Sequence, residues 1–141
     1  MARSESLLEF RESYTREVVR WATSIKEVRL WAGSARGWPV DVSVFRRWHA
    51  DPDVKPDVLW NEGVPVGYGE VWIDEAEQEV ELAHIVVRPA SRGRGVGRRF
   101  VRLLLEQASL WGLPDAFVRV VPDNSVALAG YRDAGFSPVS E

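Results

Sequence analysis

The chain has 141 residues, is 45% hydrophobic and 28% charged, and carries a formal net charge of −3. This balance reads as one folded domain, residues 1–141, and the acidic charge argues against a general nucleic-acid binder. With no Cys, the sequence excludes disulfides, thiolate–metal sites and a Cys nucleophile.

His49 and His84 are the two histidines and lack metal-ligand spacing, so no metal is expected. No apolar run approaches the roughly 18 residues of a membrane span. Met1 to Ser6 offers no apolar leader segment, and a cytoplasmic location is expected.

Leu7 to Arg11 reads as a first strand. Tyr14 to Ser24 reads as a helix that Thr15 can cap, with Val18, Trp21, Ala22 and Ile25 at helical spacing. Leu30 to Pro39 is rich in Gly and Trp and reads as a loop. A second helix begins at Asp41 or Ser43, runs through Val44, Phe45 and Trp48, and stops at Asp51-Pro52-Asp53.

Val58 to Trp60 and Pro65 to Ile73 read as strands around the turn Asn61-Glu62-Gly63. In the longer one, Val66, Tyr68, Glu70 and Trp72 share a face. The acidic turn Asp74 to Gln78 leads into a strand from Glu79 to Val87, whose second half is apolar enough to be buried on both faces. By alternation Glu81 lies with Ala83, Ile85 and Val87, and His84 lies on the opposite face.

Next comes Arg88-Pro89-Ala90-Ser91-Arg92-Gly93-Arg94-Gly95-Val96-Gly97-Arg98-Arg99. Strand, Gly-spaced basic loop and helix start together describe an anion cradle, because free N–H groups at a helix N-terminus face whatever sits in the loop. The anion is a phosphate or pyrophosphate. The helix that follows carries Val96, Phe100, Leu103, Leu104, Ala108 and Trp111 on one stripe and stops at Gly112 and Pro114. Ala116 to Val121 is a further strand. Pro122-Asp123-Asn124 opens a last helix with Ala127, Leu128, Tyr131 and Ala134 on one face; Gly135 ends it, and Phe136 starts a final extended piece. The order β-α-α-β-β-β-α-β-α-β is that of a mixed α/β domain.

Two segments carry a resemblance. Val87-x-Pro89-x-x-Arg92-x-x-Gly95-x-Gly97 is similar to the acetyl-CoA signature of the GNAT superfamily of N-acetyltransferases. Asn124-x-x-Ala127-x-x-x-Tyr131-x-x-x-Gly135-Phe136 is similar to that family's segment after its fifth strand. Together they span roughly residues 66–138; the N-terminal third matches only in element order. One departure is that the chain ends at Glu141, where the family carries a further strand.

The resemblance implies a central, twisted, mostly antiparallel sheet, splayed between strands 4 and 5, with helices on both faces. It implies acetyl-CoA as co-substrate, with no metal, and direct transfer to a primary amine of a small molecule or a peptide. In this reading Gly93, Arg94, Gly95, Val96, Gly97 and Arg98 hold the pyrophosphate, and Arg92 and Arg99 add charge. Ile85, Val86 and Val87 flank the pantetheine arm as a neighbouring strand would. Tyr131 sits where the family carries the acid that protonates the leaving thiolate; a core-packed Tyr fits the same position. Asn124 fits a pantetheine contact or a plain helix cap.

A protonated amine must lose a proton before it attacks. Glu81 is the best candidate base, with Glu79 and Glu70 behind it, although an ordinary surface Glu fits there too. A structural role suits His84 better. Trp31 and Trp38 fit an acceptor wall or a core lid, and the acidic run Asp74–Glu81 fits a solvated hairpin or a field for a cationic acceptor. A homodimer is compatible with the Trp content and the short C-terminus. Two other functions stay open: a non-catalytic acyl-CoA-binding or sensory domain, and a nucleic-acid module using the Arg-rich loop, which the net charge disfavours.

Overall fold

The computed structural model describes residues 5–32, 37–120 and 124–139. The strands are β1 (Glu5–Glu9), β2 (Val54–Asn61), β3 (Val64–Asp74), β4 (Glu79–Val87) and β5 (Asp115–Val118). The helices are α1 (Thr15–Val18), α2 (Ile25–Ala32), α3 (Val42–Trp48), α4 (Val96–Ser109) and α5 (Ser125–Asp133). The sheet runs β1-β2-β3-β4-β5, antiparallel except for the parallel pair of β4 with β5.

That parallel pair is short. Glu79 to Leu82 match Asp115 to Val118, and the strands then part. Among the described residues, Ala83 to Val87 therefore present one edge of β4 with no strand partner. The splay expected from the resemblance is this divergence.

Each face of the sheet carries its own apolar core. On one face Val58, Tyr68 and Val86 pack against Val18, Trp21, Val28, Trp31 and Phe45 of the α1–α3 region. On the other, Leu59, Val71, Ile73 and Leu82 pack under Phe100, Val101, Leu104 and Ala108 of α4. The glycines of β3 set how close α4 comes. A Cβ on Gly67 would lie 2.8 Å from the Phe100 ring, and one on Gly69 would lie 2.9 Å from a Leu104 methyl.

The N-terminal third departs from expectation. The helix expected over Tyr14–Ser24 is a 3₁₀ turn (Glu12–Tyr14) plus the single turn of α1, and Thr15 is inside α1 rather than capping it. A separate α2 begins at Ile25 and takes in Leu30 and Trp31, which had read as loop. Its apolar stripe, with Val28 and Trp31 buried, carries it over β-branched residues of weak helix propensity. Asp41 does cap α3, accepting from the Ser43 N–H at 2.7 Å. Among the described residues, Phe136–Val139 form no strand. Val121, Pro122 and Asp123 lie outside the described residues.

The alternation read for β4 is overturned at His84. This residue sits at φ +51°, and the register with β3 slips there: Glu70 faces Ala83, but Tyr68 faces Val86. An extra residue on β4 makes a bulge, and a bulge reverses side-chain parity beyond it. His84 thus shares the face of Glu70, Trp72 and Glu81, whereas Ile85 turns to the α4 side, beside Gly69.

Candidate active site

The Gly-rich loop is built as an anion cradle. Pro89–Ser91 form a 3₁₀ turn, Gly93 and Gly95 take φ of +77° and +76°, and α4 starts at Val96 with no side-chain cap. The first N–H to close a bond back along the helix is that of Arg99, to the Gly95 carbonyl at 3.2 Å. The helix's own bonding pattern provides no partner for the N–H groups of Val96, Gly97 and Arg98, which suits an anionic ligand. A side chain at Gly93 or Gly95 would be strained.

The arginines divide their work. Arg92 spends its guanidinium on the protein: Nε donates to the Val87 carbonyl at 3.0 Å, Nη2 to the Trp21 carbonyl at 2.6 Å, and Nη1 to Glu27 at 3.1 Å. It lines the cavity, but its role in the structure is to fasten the loop to α1 and α2. Arg98 pairs with Asp133 at 2.8 Å, joining α4 to α5. Arg99 pairs with Glu5 of β1 at 2.9 Å. Arg94 is exposed.

A cavity of about 1000 Å³ runs from this loop along the open edge of β4. Ile85, Val86, Val87, Gly93, Gly95, Gly97 and Arg98 line it, as do Asn124 and Tyr131 of the α5 side. Arg94, Val96 and Glu81 do not. The pieces fit coenzyme A: orphan helix N–H groups at one end suit a pyrophosphate, and the unpaired strand edge suits an amide-bearing arm.

Asn124 caps α5, its Oδ1 accepting from the Ala127 N–H at 3.2 Å. Tyr131 packs edge-on against Phe136, centroids 5.9 Å apart. Burial pushes its hydroxyl up to about 12, so the phenol keeps its proton at neutral pH.

Glu81 is half-buried, 3.6 Å from the guanidinium of exposed Arg119. Burial pushes its carboxyl up; Arg119 works against that, Glu79 adds to it and His84 opposes it. Trp31 is buried and lines the cavity, and its Nε1 donates to the His84 carbonyl at 2.7 Å. Trp38 is 54% exposed, does not line the cavity, and donates to the Ala22 carbonyl. The rest of the loop, 33–36, lies outside the described residues.

Sequence reasoning undervalued a second cluster. Glu70 is fully buried; the Tyr68 hydroxyl and the Trp72 indole at 2.8 Å donate to its carboxylate, and His84 Nδ1 lies 2.9 Å from it. Polar partners of this kind are what a buried carboxylate needs to offset its desolvation. The signal was present in part: an acidic residue in the apolar stretch Val66–Ile73, sharing its face with Tyr68 and Trp72. What it bonds to depends on the bulge at His84, which leaves no mark in the pattern.

Fold and site define an α/β domain with an anion loop feeding an open strand edge. The chain belongs to the acetyltransferase (GNAT) family, whose family model matches residues 15–136. Among curated proteins it is 30% identical over 122 residues to a mycothiol acetyltransferase of Corynebacterium glutamicum, covering 84% of this chain and 40% of that protein. It is 46% identical over 61 residues to the N-alpha-acetyltransferase RimI of Mycobacterium tuberculosis, covering 43% of this chain and 37% of that one. The chain thus spans about two fifths of the length of these relatives. Among solved structures, the fold is that of a spermidine N-acetyltransferase from Vibrio cholerae in complex with CoA and spermine: TM-score 0.81, 16% identity, 96% of this chain and 82% of that chain. An aminoglycoside N-acetyltransferase in complex with CoA superposes with TM-score 0.71 at 15% identity, over 100% of this chain and 93% of that one.

Proposed function

We propose that this domain transfers the acetyl group of acetyl-CoA directly to a primary amine. The observation that carries the reading is the open edge of β4 at Ala83–Val87, with the anion loop at one end and Tyr131 in the same cavity. The N–H groups at the start of α4 bind the pyrophosphate, and the backbone of Ile85–Val87 pairs with the pantetheine arm. This sets the thioester at the far end of the groove, towards Ala83 and His84. The amine attacks there, the C–N bond forms, the C–S bond breaks, and Tyr131 protonates the departing sulfur. Most of the rate enhancement comes from holding the two reactants together.

An amine acceptor is supported by the names of similar proteins: a mycothiol acetyltransferase and an N-alpha-acetyltransferase among the relatives, and a spermidine and an aminoglycoside N-acetyltransferase among proteins of the same fold. The proton of the incoming amine leaves on the β3–β4 side of the groove, where the sequence had pointed to Glu81. The test is calorimetric titration with acetyl-CoA, followed by an assay of CoA release with spermidine, an aminoglycoside and an Ala-terminal peptide. Binding with amine-dependent CoA release supports the reading. Tight binding with no release from any amine favours a non-catalytic acyl-CoA-binding domain on the same fold.

A further inference from the structure

We propose that His84, oriented by Glu70, is the group that takes the proton from the incoming amine. The proposal rests on the acetyl-transfer reading above and deepens it. Its starting point is a backbone feature: His84 holds φ +51° at the β4 bulge, a conformation that costs a non-Gly residue energy and persists only where its surroundings enforce it. Here they do. The Trp31 indole grips the His84 carbonyl at 2.7 Å. The ring stacks on Trp48 with centroids 3.8 Å apart and planes 19° apart, and Trp72 meets it edge-on at 5.5 Å.

The partner of the ring argues for one tautomer. An ionised carboxylate only accepts, so opposite Glu70 at 2.9 Å we place the ring proton on Nδ1. In the neutral ring Nε2 is then a free lone pair. Among the described residues Nε2 has no hydrogen-bond partner, and it is not buried and unsatisfied either. The His84 side chain is 17% exposed and the residue is among those lining the cavity, whereas Glu70 is fully buried and is not. Nε2, neither bonded among the described residues nor sealed from solvent, is the ring nitrogen left open to a substrate. His84 lies where the open edge of β4 begins, the end of the groove remote from the anion loop. That is where the thioester and amine meet.

The step balances. Nε2 takes one proton from the ammonium, giving a neutral amine and an imidazolium whose charge faces the Glu70 carboxylate and the Trp48 ring face. The imidazolium returns that proton to solvent. The amine nitrogen bonds to the acyl carbon, sheds a second proton to solvent and expels sulfur. Tyr131 protonates the sulfur and recovers its own proton from water. Glu81 and Arg119 stand further along the same side and do not line the cavity as a pair; only Arg119 does. Glu70 is thus a positioning residue, and His84 the one that meets substrate.

The charged and titratable groups around His84 are Glu70 on β3, Glu81 on β4, His49 after α3 (reached through Tyr68), and the Glu27–Arg92 pair on the cavity wall. The test must separate His84 from these. His84→Asn is the chosen variant, because Asn tolerates positive φ and its amide N–H replaces Nδ1–H towards Glu70, while Nε2 is lost. The full chain is titrated with acetyl-CoA, and CoA release is assayed from pH 6 to 10 with spermidine, an aminoglycoside and an Ala-terminal peptide.

The expected result is acetyl-CoA affinity within about two-fold of the unmodified chain and kcat at pH 7 lowered about 100-fold. The deficit shrinks as the pH nears the amine's own value, roughly 10.4 for a lysine-like amine, and the acidic limb of the profile disappears. Glu70→Gln displaces that limb. A His84→Asn chain with unchanged kcat and limb, or the same loss on Glu81→Gln with His84→Asn unaffected, overturns this proposal alone. Failure of the unmodified chain to bind acetyl-CoA overturns the acetyl-transfer reading and this proposal with it. One readout needs no acceptor: ¹⁵N NMR of the His84 ring. A neutral ring protonated at Nδ1 supports the proposal, and one protonated at Nε2 overturns it.

Discussion

Arg92 Nη2 donates to the backbone carbonyl of Trp21 at 2.6 Å, while Nε of the same guanidinium donates to the carbonyl of Val87 at 3.0 Å. One side chain thus ties the last residue of β4 to the turn after α1. Its third contact, to Glu27, adds α2 to the same knot. Arg92→Ala leaves two carbonyls without a charged donor and is expected to lower unfolding stability by about 2 kcal/mol, read by urea denaturation. Arg92→Lys recovers little of this, because one ammonium cannot span three acceptors held in a planar fan. Full stability in Arg92→Ala would show the knot to be ornamental.

Tyr131 keeps its proton through burial, which pushes its hydroxyl up to about 12. Tyr131→Phe preserves the ring against Phe136 and removes only the donor. Turnover is expected to fall about 100-fold, with acetyl-CoA affinity nearly unchanged. Equal turnover removes Tyr131 from the chemistry and leaves it a packing residue. Equal losses of affinity and rate point to a binding role instead.

Asp57 offers a stability test remote from the site. Burial, and then the negative charge of Glu9, push its carboxyl from 3.8 up to about 7. Its Oδ2 is buried with no hydrogen-bond partner among the described residues. The folded chain therefore holds this proton more tightly than the unfolded chain does. Stability from this group is fully present below about pH 4, is lost as the pH rises towards 7, and stays lost above it. Asp57→Asn removes the titration. Relative to the unmodified chain it is expected to gain stability at pH 8, on the order of a few kcal/mol, and to lose that advantage near pH 4. Thermal melts across that range read the difference; parallel curves would contradict it.

Gly67 faces Phe100 with no room between them, since a Cβ there would lie 2.8 Å from two ring carbons. Gly67→Ala is expected to destabilise by about 1–3 kcal/mol through overpacking. Phe100→Leu in the same chain relieves the contact, so the double variant loses less than the two single losses added. Strict additivity by chemical denaturation would mean that α4 shifts freely and the glycine is not what sets its distance.

Much of this was legible in the chain before any coordinates. The loop Arg92–Arg98 and the helix after it follow from local rules, because glycines at positive φ and orphan N–H groups are properties of a few consecutive residues. The strands β3 and β4 were read to within a residue or so at their ends, since period-two patterning is also local. The helices before α3 were read poorly. There α1 is one turn, and α2 is held by Val28 and Trp31 packing onto the sheet, a contact no window of sequence contains.

By itself the sequence determined the mixed α/β class and the Gly-rich loop that suits an anion, each from spacing within one element and the helix or turn beside it; Tyr131 came forward as candidate donor only through the resemblance of its segment to the family's. Only the tertiary structure decided how the charged groups are shared. It turned Arg92 inward onto Trp21, set Glu81 beside Arg119, and brought Glu70 to His84. The physical reason is the bulge at His84, where one extra residue reverses the faces of β4. Its position depends on pairing with β3 and on Trp31 reaching across from α2, a partner 53 residues away in the chain.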